Sequence, residues 1–219
     1  MIRPGVYAAD YSYAIRQRLR AIRGLDGDAQ YRSGSKAPVL ILPGVYETWT
    51  FLRPLIEHLH AGGHPVHVLR ALGRNDRPVP ESAALAQEYL RRLDLRDVVL
   101  VAHSKGGLIG KHMLAVDDTE GRVGRLVAIA TPFGGSRLAG LFVTPTMRSF
   151  LPSNPVIRAL AADEAVNTRI VSIYGRYDTH IPEGCALPAA RNIELPIDGH
   201  FRIVADPRTF ATIDEVLGA

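Results

Sequence analysis

The sequence predicts a single α/β domain, built on a minimal, mostly parallel sheet of about six strands with helices on both faces. Three observations carry this. Short β-branched runs alternate along the chain with helical patterns, as in a parallel sheet buried on both sides. At 219 residues and 47% hydrophobic content, the chain has enough material for one sizeable core and is short for two. In the stretch Val98-Val99-Leu100-Val101-Ala102-His103-Ser104-Lys105-Gly106-Gly107, an apolar strand runs through one serine straight into a glycine-rich helix start.

Residues 1–36 read as a helix and loop that pack on the domain formed by 37–219. Arg16, Arg20 and Arg23 share one face of this helix, and Ile15, Leu19 and Ile22 share another. An amphipathic helix docking its apolar face on the core explains this pattern better than contact with an anionic membrane surface. Strands are expected over 39–42, 66–69, 98–102, 126–130, 170–174 and 193–195. Between them, Trp49, Leu52, Leu55, Ile56 and Leu59 mark one helix face that Gly62-Gly63 ends. Leu85, Tyr89 and Leu93 mark the next helix, residues 107–116 form the one after Ser104, and 207–217 close the chain as the last. No strand is expected between Thr131 and Arg169. The apolar side chains there, Leu141, Phe142, Val143, Met147, Phe150 and Leu151, alternate with Pro145, Pro152 and Pro155. Residues 132–168 are therefore expected to be a cap-like insertion over a hydrophobic cleft, and the same side chains would serve equally to complete the core.

Composition excludes several function classes. The 26 basic residues exceed the 22 acidic ones by four, and the excess is dispersed and mostly arginine, since Lys36, Lys105 and Lys111 are the only lysines. This does not make a nucleic-acid surface. The single cysteine, Cys185, cannot form an internal disulfide and reads as a bystander in a loop. Residues 1–5 are not followed by a long apolar run with a small-residue cleavage site, and no segment approaches the ~20 apolar residues of a membrane span. The expectation is a cytoplasmic chain without an integral membrane segment.

Ser104 carries the chemistry. A serine hydroxyl is a weak nucleophile unless a base adjoins it and a sharp turn presents it to substrate. Such a turn brings the residues two before and two after the serine together, and these are the small Ala102 and Gly106. A phosphate-binding loop would imitate this junction only in part, because both G-x-G-x-x-G and the Walker A pattern are missing. The strand at 170–174 runs on into a loop holding Asp178, and the last strand runs through Asp198-Gly199 to His200. Parallel strands end at one edge, so Ser104, Asp178 and His200 should converge there as nucleophile, acid and base.

Other histidines compete for the base. His58, His60, His64 and His67 precede the nucleophile and are expected at the surface or at helix ends. His103 is expected to support the turn. His180 would oblige one loop to supply both acid and base, so the chain order Ser, Asp, His favours His200. Asp198 is expected to shape the turn before His200 rather than to orient it. The oxyanion of an acyl-transfer intermediate needs two backbone donors, and the amides of Lys105 and Val45 are placed for this, with Gly44 letting the chain turn close to substrate. No metal or cofactor is implied, since no ligand spacing such as H-E-x-x-H occurs.

Over roughly residues 37–218 the chain resembles the α/β-hydrolase family, and is similar to small bacterial lipases and esterases that have Ala in place of the first Gly of the nucleophile turn. Ala102-His103-Ser104-Lys105-Gly106-Gly107 matches that turn, Thr131-Pro132-Phe133-Gly134-Gly135-Ser136 the segment after the next strand, and Gly199-His200 the histidine loop. The resemblance implies a single-domain α/β-hydrolase fold and a Ser-His-Asp hydrolase that cleaves small carboxylic esters with an apolar part through an acyl-enzyme. Tyr46 and the insertion residues Phe142, Met147 and Phe150 are expected to line the substrate site. A thioesterase or acyltransferase would use the same triad, and a non-catalytic domain binding a ligand or partner is the alternative of another class. Three departures stand out. Pro43-Gly44 replaces the frequent His-Gly, no leading hairpin precedes Val39, and Lys105 occupies a place more often apolar. Its cation is expected either to favour anionic substrates or to snorkel to solvent.

Overall fold

The structure, a computed structural model, describes residues 3–23 and 27–218. Six strands form one sheet: β1 (Val39–Leu42), β2 (Val66–Val68), β3 (Val98–His103), β4 (Val123–Ile129), β5 (Ile170–Tyr177) and β6 (Arg191–Asp198). Their order is β2-β1-β3-β4-β5-β6 and every neighbouring pair is parallel. The helices are α1 (Pro4–Arg23), α2 (Arg53–Ala61), α3 (Val79–Arg92), α4 (Lys105–His112), α5 (Pro145–Arg148), α6 (Pro155–Ala162) and α7 (Pro207–Leu217). None is long and apolar enough to cross a membrane.

All side chains of β1 and β3 are buried, which is why both read as unbroken apolar runs. From β1 the chain moves outward to β2, then returns across β1 to begin β3 on the other side. The carboxyl ends of β1 and β3 therefore face a crevice that no crossover helix fills, the place where open α/β sheets bind ligands. Residues 43–48 leave β1 there, and Ser104 leaves β3.

Several boundaries differ from the expected ones. β6 spans eight residues where an apolar run of three is visible, because only alternate side chains of this edge strand are buried. The helix expected from Trp49 begins as a 3₁₀ turn, Trp49–Leu52, and becomes α2 at Arg53, with Pro54 in the first turn where its missing N–H costs nothing. α4 starts at Lys105 and widens into a π turn over Met113–Asp117. Leu93 lies beyond the end of α3 and is exposed. His64 and His67, expected at the surface, are buried instead. β2 is an edge strand, but Tyr89 of α3 lies over it and pairs with His67 Nδ1 at 3.3 Å, while His64 Nδ1 donates to the Ala37 carbonyl at 2.8 Å.

α1 does not dock by its apolar face. Ile15 and Leu19 are exposed, and the buried positions are Asp10, Ala14 and Gln17, one stripe at i, i+4 and i+7. The side chains of Arg20, Ile22 and Arg23 lie outside the described ones. Ala14 is small enough for the helix to approach closely, and Tyr13 meets Phe51 edge-on at 5.9 Å. The rotation of α1 is set by Asp10, whose partners lie at the other end of the chain. Residues 132–168 contain short helices and no strand. Their apolar side chains divide between two tasks: Phe150, Ile157 and Leu160 enter the core, while Leu141, Phe142 and Val143 stand out from the surface.

Candidate active site

Ser104 has φ +51° and ψ −118°, a backbone state that non-glycine residues adopt only when their surroundings force it. Here the surroundings do. The Ser104 amide donates to the Ile129 carbonyl at 2.9 Å, and Thr131 Oγ1 donates to the Ser104 carbonyl at 3.1 Å, so β4 grips the turn from both sides. A Cβ on Gly106 would lie 2.0 Å from the Leu42 carbonyl oxygen, and one on Gly107 2.0 Å from Thr131 Oγ1. Only glycine lets α4 start this close to β1 and β4.

The three residues expected to converge do so. His200 Nε2 lies 3.0 Å from Ser104 Oγ, and His200 Nδ1 lies 2.8 Å from Asp178 Oδ2. The other carboxylate oxygen, Asp178 Oδ1, accepts the amides of His180 at 2.7 Å and Ile181 at 3.0 Å. A carboxylate only accepts, so the His200 Nδ1–H donates to it. Nε2 is left with a lone pair facing the serine hydroxyl. Burial presses the His200 pKa down, but the charge and hydrogen bond of Asp178, joined by Asp10 and Glu47, outweigh it and hold the pKa above the ordinary histidine value. Burial likewise works against the Asp178 carboxylate, and His200 with the His180 amide overcomes it, keeping its pKa below the usual range.

The competing residues have other partners. Asp198 pairs with Arg176 at 2.9 Å and Arg3 at 3.1 Å. His103 uses both ring nitrogens, facing Glu47 Oε2 at 3.0 Å and the His200 carbonyl at 3.1 Å. His180 Nδ1 meets Thr179 Oγ1 at 2.8 Å and its Nε2 meets Tyr11 Oη at 3.0 Å. Burial and the nearby His200 push its pKa down to about 4. Asp178, His180 and His200 bring ligand-type atoms within 4.8 Å of one another. The hydrogen bonds above engage both ring nitrogens of His180 and of His200 and both carboxylate oxygens of Asp178.

Two buried acids that sequence reasoning missed organise the backbone around this cluster. Glu47 Oε2 accepts the Gly44 amide at 2.7 Å as well as His103, tying the loop after β1 to the end of β3. The Gly44 amide is thereby used up, while the Val45 and Lys105 amides hydrogen-bond no other described residue. Asp10 of α1 accepts four bonds. Its Oδ2 takes the His200 amide at 2.8 Å and the Thr179 hydroxyl at 3.1 Å, and its Oδ1 takes the Phe201 amide at 2.8 Å and the Arg202 amide at 3.0 Å. Since Thr179 spends its one proton on Asp10, it accepts from His180 Nδ1–H, and His180 Nε2 then accepts the Tyr11 hydroxyl proton. One helix thus holds both the loop of Asp178 and the loop of His200.

A cavity of about 290 Å³ opens onto the cluster. Ser104 and His200 lie in its wall, and Val45, Tyr46, Phe142, Met147 and Phe150 also line it. α1 adds Tyr11 and Arg18, which nothing local in the sequence marks. The Lys105 side chain takes neither expected course. It is buried, and Nζ donates to the carbonyls of Asn75, at 2.7 Å, and Arg77. Burial outweighs the nearby Asp76 charge and pushes its pKa down to about 8. Two carbonyl acceptors satisfy an ammonium that would otherwise have to reach water.

No family model matches the chain, and no curated protein matches it by sequence. Solved structures do match in shape. The mature lipase BlEst2 of Bacillus licheniformis superposes with a TM-score of 0.63 over 83% of this chain and 92% of its own, at 16% identity. An extracellular α/β-hydrolase from a Paenibacillus species gives 0.57 over 82% and 98%, at 18% identity. The carboxylesterase CesB of Bacillus subtilis gives 0.55 over 85% and 86%, at 15% identity. With its parallel six-stranded sheet, its strained serine turn after β3 and these neighbours, the chain has the α/β-hydrolase fold.

Proposed function

We propose that the protein is a serine hydrolase that cleaves carboxylic esters with an apolar acyl or alcohol part. The observation that carries this reading is the hydrogen-bonded line from Ser104 Oγ through His200 to Asp178 at the wall of one apolar-lined cavity. In this reading Ser104 Oγ attacks the ester carbonyl carbon while His200 Nε2 takes the hydroxyl proton. The carbonyl oxygen becomes an oxyanion facing the Val45 and Lys105 amides, each such donor being worth ~3 kcal/mol of transition-state stabilisation. As the C–O bond to the alcohol breaks, His200 returns the proton to the leaving oxygen. Water then attacks the acyl-enzyme by the same path and frees Ser104. Asp178 holds the imidazole tautomer and stabilises the imidazolium. Residues 132–168 act as a cap, giving Phe142, Met147 and Phe150 to the apolar part of the substrate. Within residues 1–36, α1 packs on the unit 37–219 and contributes Asp10, Tyr11 and Arg18 to the site.

A fluorophosphonate probe tests the nucleophile directly. Covalent labelling of the folded protein is expected, and it should vanish in Ser104→Ala; failure to label, or labelling that survives the substitution, overturns the reading.

The pH profile tests the base. A general base works only when neutral, so kcat/KM on a soluble ester should rise with pH through the His200 pKa, with its midpoint above the ordinary ~6.5 because Asp178 raises it. His180, lowered to about 4, stays neutral over this range and cannot produce that limb. A limb near pH 4 would transfer the role to His180, and a flat profile from pH 5 to 8 would remove His200 as base.

A further inference from the structure

Eight large apolar side chains stand exposed among the described residues, and six of them are Tyr11, Ile15 and Leu19 on α1 and Leu141, Phe142 and Val143 in the insertion. Val143 is 90% exposed, Leu141 79%, Ile15 55% and Leu19 54%. These two segments rim the same opening, since Tyr11 and Arg18 from one and Phe142 from the other line the cavity that holds Ser104. Ile15 and Leu19 follow Tyr11 at i+4 and i+8, so they continue its side of the helix outward from the mouth. Such a concentration of apolar surface in one place marks an interaction site rather than ordinary surface.

The exposed charge on this rim is mostly positive. Residues 4–23 contain a single acid, Asp10, which is wholly buried against the histidine loop, and residues 137–150 contain none. Arg16, Arg18, Arg137 and Arg148 are exposed beside the apolar tips. Arg137 lies 3.7 Å from Glu183, the one carboxylate that faces it from the neighbouring loop. Apolar tips flanked by guanidinium groups match the boundary between lipid tails and anionic headgroups.

We propose that this rim docks on an anionic lipid bilayer, with Leu141, Val143, Ile15 and Leu19 in the interface and the cavity mouth facing the lipid. A second copy of the chain seated on the same surface would cover the mouth, whereas a bilayer covers it with the material an apolar cavity accepts. Delivery of substrate from the lipid rests on the hydrolase reading; the docking itself does not.

Cosedimentation with phosphatidylcholine vesicles and with vesicles containing phosphatidylglycerol tests the docking. The protein should pellet with the anionic vesicles, less with the neutral ones, and less again in about 1 M salt, where screening acts within ~3 Å. The variant Ile15→Ser/Leu19→Ser/Leu141→Ser/Val143→Ser should lose binding by roughly tenfold or more, with its melting temperature and its turnover of a short soluble ester unchanged. A protein that stays in the supernatant with anionic vesicles overturns the proposal. So does a dimer in light scattering that this variant turns into a monomer, because the surface then belongs to a second copy. Vesicle binding by a protein that turns over no ester supports the docking and removes the hydrolase reading.

Discussion

Ser104→Ala and His200→Ala are each expected to lower kcat/KM for an ester on the order of 10⁵-fold, and the double variant to lower it no further. The two side chains act as one unit. Without His200 the proton on Ser104 Oγ, an oxygen now 3.0 Å from Nε2, has no acceptor at the moment of attack. Without Ser104 the histidine has no hydroxyl to activate. In the proposed mechanism, what remains in all three variants is an oxyanion site at the Val45 and Lys105 amides together with the cavity, and these contributions survive loss of either side chain. The three rate constants, measured beside melting temperatures that show an intact fold, form the test. Losses that multiply in the double variant would mean that the two residues act separately, and the proposed mechanism would fall. Asp178 should cost less when removed, because it orients and stabilises the base and moves no proton itself.

Asp10→Asn is expected to lower kcat roughly 10²-fold with little change in KM, and to move the acid limb of the pH profile downward. The carboxylate offers two oxygens, each receiving two donors, and an amide offers one. Whichever way the asparagine turns, its NH₂ faces two donors that lose their acceptor in a buried site, at ~1–3 kcal/mol for each unsatisfied group. The His200 backbone then loses its fixed position, and with it the aim of Nε2 at Ser104. The pH shift follows from charge. Asp10 is one of the groups that raise the His200 pKa, so a neutral side chain lets it fall. The limb distinguishes positioning from simple support of the fold. A lowered melting temperature with kcat and the limb unchanged would make Asp10 structural only.

Much of the site was legible without coordinates. Ser104 announces itself because a strained turn leaves a local mark: an apolar run, one serine, then glycines that no other residue could replace against Leu42 and Thr131. Asp178 and His200 are legible because strands that run parallel deliver their following loops to one edge, whatever their distance along the chain. The mouth residues Tyr46, Phe142 and Met147 follow from which loops that edge must carry.

The rest depended on partners remote in sequence. Lys105 looks like a free cation until its two acceptors, the carbonyls of Asn75 and Arg77, are seen beside it. His103 and Glu47 are 56 residues apart, and nothing at either position names the other. α1 misled most. Its helical periodicity shows an apolar stripe of Ile15 and Leu19, but periodicity reports which side chains share a face and not which face turns inward. That choice was made by Asp10, whose carboxylate meets amides 190 to 192 residues later.

The sheet, the serine turn and the meeting of Asp178 and His200 with Ser104 were thus readable from the chain alone, since each rests on local backbone chemistry and on the direction of parallel strands. The partners of Asp10, Glu47 and Lys105 and the exposure of the apolar stripe on α1 came from the folded chain alone. A buried charge must find its hydrogen-bond partners wherever the folded chain puts them, and the helix turns to satisfy that need before it satisfies its own pattern.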